Sequence, residues 1–94
     1  MRTIEREIER SASFKRDYNV MKRDEYALEL LEQILFLLAW DKELPKQTQD
    51  HVLIGDWVGY GECHVKPDLL LIYKKPDSNS LRLARIAPYS ELCT

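Results

Sequence analysis

Between Tyr60 and Lys66 the side chains alternate: Tyr60, Glu62, His64 and Lys66 have one parity, and Gly61, Cys63 and Val65 the other. Successive side chains of a strand point to opposite faces, so this spacing predicts a strand with Cys63 and Val65 on a core. His64 then stands on an open sheet face, with Glu62 and Lys66 looking outward beside it. Lys66-Pro67-Asp68 follows as a turn, because proline pre-sets φ for its first inner position and the aspartate can accept from nearby backbone amides. Leu69 to Tyr73 is an unbroken apolar run of strand length, which reads as a strand buried on both faces. Together these stretches form a hairpin that carries His64 and Asp68 near its bend.

The same patterning organises the rest of the chain. Thr3 to Arg10 alternates Ile4 and Ile8 with glutamates and suits an edge strand with one acidic face. Ser11 and Ser13 are candidate N-caps. Phe14, Tyr18 and Met21 then recur at helical spacing, which predicts a helix from about Ala12 to Lys22. Asp24 can cap a second helix running to about Trp40. Its apolar face, Leu28, Leu31, Ile34, Leu35 and Leu38, is widened by Leu30, Phe36 and Leu37, so it must be covered on more than one side. Lys42 to Gln49 contains Pro45 and reads as a loop. Lys74 to Ser80 is dense in turn formers, and Leu81 to Ile86 is the last strand. There Arg85 shares parity with Leu81 and Leu83, so a regular strand would send it to the core. A bulge, or an earlier strand end, is needed to re-aim it.

The predicted order is an N-terminal strand, a two-helix hairpin and a three-stranded antiparallel meander. That is a single α+β domain, residues 1–94, with a small, mostly antiparallel sheet and helices on one face. Hydrophobic residues make up 45% of the chain and charged residues 32%, a globular balance. No apolar run approaches the roughly 20 residues of a membrane helix. The charged start MRTIEREIER is no secretory signal, so the expectation is a cytoplasmic protein without a membrane role. Cys63 and Cys93 build no disulfide framework, and their spacing and that of the two histidines suggests no metal site. Net charge is −2. Residues 51–94 carry five basic and five acidic side chains, so any nucleic-acid contact must come from a local patch. Lys66, Lys74, Lys75, Arg82 and Arg85 are its candidates.

Beyond these patterns the chain resembles a known family. Asp50-His51, Gly55-Asp56-Trp57, Gly59-Tyr60, the run CHVKPD at 63–68, LLLIY at 69–73, LRLARI at 81–86, SEL at 90–92 and FKRDY at 14–18 look like the YafQ branch of the RelE/ParE toxin superfamily. The resemblance implies a RelE-like fold and the toxin of a bacterial type II toxin–antitoxin module. It further implies a ribosome-dependent mRNA endoribonuclease that enters the ribosomal A site, with a cognate antitoxin as partner and no cofactor, metal or small-molecule ligand.

Such cleavage uses the RNA's own 2′-hydroxyl. It needs a base for that proton, positive charge on the phosphorane, and an acid for the departing 5′-oxygen. By resemblance His51, His64 and Asp68 fall at catalytic positions, and Arg85 matches the arginine that stabilises phosphate charge. Tyr89 stands where the family usually has a histidine; with an ordinary pKa near 10 a tyrosine can donate a proton but is a poor base. The family also has arginine at Gly61, lysine at Val58 and an aromatic residue at Cys93. Restoring Tyr89→His and Gly61→Arg is therefore expected to raise activity. The alternative function is a RelE-fold protein with attenuated or lost catalysis that binds an antitoxin and acts in regulation. The residues have bland readings too: Asp68 as an ordinary turn aspartate, His51 as a loop anchor, Arg85 as the neutraliser of a carboxylate such as Glu91.

Overall fold

The computed structural model describes residues 5–92. The chain runs β1 (Glu7–Arg10), α1 (Ala12–Met21), α2 (Glu25–Ala39), β2 (His51–Val52), β3 (Gly61–Lys66), β4 (Leu69–Lys74), β5 (Ser80–Pro88) and α3 (Tyr89–Leu92). Short 3-10 turns at Lys46–Thr48 and Gly55–Trp57 flank β2. The five strands lie in the order β1-β5-β4-β3-β2. All neighbours are antiparallel except β1 and β5, which run parallel from Glu7↔Ser80 to Arg10↔Leu83. The α+β architecture is as expected, with one more strand. His51 and Val52, read as the end of a loop, pair with Glu62 and Gly61 and extend the sheet past β3. Thr3 and Ile4 of the expected first strand lie outside the described residues.

α1 and α2 each start where the sequence offers a cap. Ser11 Oγ accepts from Phe14 N at 2.9 Å, and Asp24 Oδ1 accepts from the amides of Tyr26 and Ala27 at 3.1 Å each. Such caps satisfy amides that the first turn leaves without partners. The wide apolar face of α2 is met from two sides. Ala27, Leu31, Ile34 and Leu38 are buried, Leu28, Leu30, Leu35 and Leu37 are partly covered, and Phe36 remains exposed.

The core lies between the helices and one sheet face, where Phe14, Met21 and Leu31 meet Cys63, Leu71, Tyr73, Leu81, Leu83 and Ile86. Leu70, Leu71 and Ile72 are all at most 1% exposed, so β4 is buried on both faces, as its unbroken apolar run predicts. The parity conflict in β5 is resolved by a bulge. The β4–β5 register moves from Ile72↔Arg85 to Tyr73↔Leu83 and leaves Ala84 as the extra residue. Leu81 and Leu83 keep the core face while Arg85 passes to the other.

Past Leu83, no strand among the described residues pairs with the outer side of β5, and Ser11 and α1 supply partners there. Ser11 N donates to Leu83 O at 3.0 Å, Ser11 Oγ to Ala84 O at 2.7 Å, and Ile86 N to Asp17 Oδ2 at 3.0 Å. Pro88, which has no amide to offer, closes the strand opposite Leu69. The tail expected after it is helical from Tyr89 to Leu92.

Candidate active site

Register fixes which side chains share the sheet face opposite the helices, because directly paired residues project the same way. One row crosses four strands, His51–Glu62–Ile72–Arg85; the next is His64–Leu70–Ala87, and a third pairs Lys74 with Arg82. From strand spacing and rise, the backbones of His64 and His51 lie about 8 Å apart, His64 and Arg85 about 12 Å, and His51 and Arg85 about 14 Å. Leu70 and Ile72, 0% and 1% exposed, form an apolar floor between them. Polar groups around such a floor interact more strongly than they would in bulk water.

His64 is half-buried, with Nδ1 3.1 Å from the Pro67 carbonyl oxygen. That oxygen can only accept, so Nδ1 carries a hydrogen, and Nε2 is the ring nitrogen left for proton transfer. A bulge between His64 and Lys66 sets up this contact by turning the chain just before Pro67. Asp68 is exposed in the same turn, and its carbonyl accepts from Tyr89 N at 2.9 Å. His64, Asp68 and Tyr89 are thus gathered at one end of the sheet. Tyr89 is 56% exposed.

His51 lies at the other edge. Its Nδ1 donates to Gln49 O at 2.7 Å and its Nε2 is 3.3 Å from Glu62 Oε1. Glu62 corrects the simple reading of parity. It is on the open face, yet only 8% exposed, because β2 brings His51 alongside. Behind it the Tyr73 hydroxyl donates to Asp50 in a very short hydrogen bond, which pins the residue preceding His51. Burial, followed by that carboxylate, pushes the Tyr73 pKa up. Burial, then Asp50 and Glu62, pushes the Cys63 thiol up to about 12, so it is not a nucleophile here.

Arg85 does not stand alone. Nε and Nη2 donate to Asp17 at 2.7 and 3.1 Å, and this pairing, with a smaller contribution from Glu91, holds the guanidinium pKa above its ordinary value. The carboxylate beside it is therefore Asp17 rather than the Glu91 suggested by chain proximity. Because Nε and Nη2 are engaged, Nη1 is the end of the fork left to meet an anion. Asp17 and Glu62 are the site residues that sequence reasoning missed. The only signal for Asp17 was its place in FKRDY.

The basic candidates divide between two surfaces. Lys74 and Arg82 are neighbours on the open face, with Lys74 Nζ 5.2 Å from the Tyr60 ring centroid and Arg82 3.4 Å from Glu9. Lys66, re-aimed by the bulge, donates to Asp24 at 2.9 Å, and Lys75 donates to Asp41 at 2.8 Å; both lie toward the helices. A cleft of about 480 Å³ also opens on the helix side, lined by Met21, Lys66, Leu69 and Pro88, with Asp68 at its rim. Asp17 and Ala87 also line this cleft, so it adjoins the chemistry-bearing rows. Gly61 shares the helix side with its partner Tyr73, and a Cβ there would come within 2.8 Å of the Tyr73 ring. A larger side chain at 61 would therefore need the Tyr73 ring to shift.

The five-stranded sheet thus has one face packed on a helical hairpin and the other carrying histidines, a carboxylate and an arginine. The chain matches the YoeB/ParE toxin from Agrobacterium tumefaciens with a TM-score of 0.75, covering 88% of this chain and 98% of that one, at 16% identity, a likeness of fold alone. It matches the crystal structure of the E. coli DinJ-YafQ toxin-antitoxin complex with a TM-score of 0.83 at 33% identity, covering 97% of this chain and 100% of that one. The mRNA interferase toxin YafQ of Escherichia coli K12 is 34% identical over 90 residues, 95% of this chain and 97% of that protein. The family described as "Bacterial toxin of type II toxin-antitoxin system, YafQ" matches residues 6–94. The chain belongs to this YafQ toxin family.

Proposed function

We propose that the protein is a ribosome-dependent mRNA endoribonuclease, held inert by a cognate antitoxin and acting in the bacterial cytoplasm at the ribosomal A site. The observation that carries the reading is His64, its Nδ1 committed to Pro67 O, in register on the same sheet face as Arg85 beside Leu70 and Ile72. His64 takes the 2′-hydroxyl proton, because its Nδ1 hydrogen is already committed to Pro67 O. Arg85 presents Nη1 to the phosphorane, while Asp17 holds the rest of its fork. His51, backed by Glu62, is the second proton-transfer group. Asp68 orients the substrate-side histidine, and Tyr89 donates to the leaving 5′-oxygen. Lys74 and Arg82 contact the RNA backbone. The relatives named as mRNA interferases and solved with DinJ support both the activity and the antitoxin partner.

Induction without antitoxin should arrest growth, and His64→Ala should relieve the arrest. Cleavage of mRNA in a reconstituted translation mixture, and none without ribosomes, checks the ribosome requirement. No arrest at high expression would sink the reading. One observation favours the attenuated alternative: Tyr89 stands in the histidine position while Asp17 neutralises Arg85. Under it, Tyr89→His and Gly61→Arg together create toxicity that the present sequence lacks.

A further inference from the structure

The loop between β2 and β3 is built around two aromatic rings that the core does not use. Gly55 and Gly59 adopt φ of 75° and 90°, conformations that favour glycine. Backbone bonds from Val58 N to Gly55 O, Tyr60 N to Trp57 O and Leu53 N to Tyr60 O hold the loop in one shape. The rings of Trp57 and Tyr60 meet edge to face with centroids 5.2 Å apart and planes at 80°. Neither belongs to the core cluster, and each remains half-buried. Lys74 Nζ reaches over the Tyr60 ring, and Arg82 is its cross-strand neighbour. Glu9 competes for Arg82 only through an exposed 3.4 Å pair, which is weak in water.

A rigid ring pair outside the core, beside two cations, matches what single-stranded RNA requires: a flat apolar surface for a base and positive charge for the flanking phosphates. Lys74 is four residues along β4 from Leu70, about 14 Å. The rings therefore stand a few nucleotides from the His64 row. We infer that Trp57 is a base-stacking subsite for single-stranded RNA, with Tyr60 as its buttress and Lys74 and Arg82 as its phosphate contacts. The inference rests on reading the open face as an RNA surface, and adds a recognition element away from the cut.

The test uses the full chain carrying Trp40→Phe, which leaves Trp57 as its only tryptophan. The probe is a short oligoribonucleotide, 2′-O-methylated so that it cannot be cut, together with its single abasic derivatives at low salt. The intact probe should quench Trp57 emission to saturation, and one abasic position should weaken binding on the order of tenfold. Trp57→Leu, which keeps an apolar side chain but removes the aromatic plane, should erase that preference. Binding with no change in emission, equal affinity for every abasic probe, no binding at low salt, or a preference that survives Trp57→Leu would each overturn the inference. If Trp57→Leu does not fold, quenching and the abasic series decide alone. Quenching without growth arrest keeps the subsite and sinks the nuclease; arrest without quenching does the reverse.

Discussion

Asp17 accepts three hydrogen bonds, two from the Arg85 guanidinium and one from Ile86 N, with its side chain 14% exposed and that of Arg85 28% exposed. Asp17→Ala removes all three at once and leaves a partly buried cation and a strand-edge amide without their protein partner. Losing a charged hydrogen-bonded partner in such a setting costs roughly 2 to 4 kcal/mol, the lower end applying because water reaches Arg85. Against a total of about 5 to 10 kcal/mol for a domain of this size, the variant should unfold at a markedly lower urea concentration. Asp17→Asn retains an oxygen for Ile86 N but loses the charge, and should cost about half as much. Arg85→Met should cost less than Asp17→Ala added to it would imply, so a double-mutant cycle should give a coupling of about 1 to 2 kcal/mol. Urea melts followed by circular dichroism, with all five proteins compared at one pH, supply the numbers. Asp17→Ala within about 0.5 kcal/mol of the parent, or additive single changes, would refute the claim that this pair clamps β5.

Three further outcomes follow from the same structure. Hydrogen bonds from Arg6 and Lys75 lower the Asp41 pKa to about 2; its folded value is below its unfolded one, so its contribution is present above about pH 4 and lost as pH falls toward 2. Asp41→Asn should flatten the acid limb of a stability–pH profile over that window, by less than about 1 kcal/mol because the site is exposed and screened by salt. Gly61→Ala should cost about 1 to 3 kcal/mol through its clash with the Tyr73 ring; a melt unchanged from the parent would show that the ring moves aside easily. Tyr73→Phe should lower stability by about 1 kcal/mol and loosen the His51 segment, seen as faster amide exchange from Asp50 to Val52; unchanged exchange there would show that Asp50 is held by other means.

Period-two and helical spacing were enough to place α1, α2, β3, β4 and most of β5, because each buries one face or stripe and pattern follows burial. The conflict at Arg85 was itself informative: a charged residue on a core parity demanded a bulge, and Ala84 provides it. Family resemblance named His51, His64, Asp68, Arg85 and Tyr89, and local pattern supported the open-face position of His64. What pattern could not convey was which elements meet across long stretches of chain. Asp17 reaches Arg85 and Ile86 across nearly seventy residues. β2 shields Glu62 by pairing beside it, Lys66 and Lys75 turn to carboxylates on the helical side, and Tyr73 lies over Gly61. Alternation along one strand records only that a side chain faces in or out. Partner, charge balance and the height of the neighbouring wall are set by non-local contacts, and those exist only once the sheet has closed against its helices.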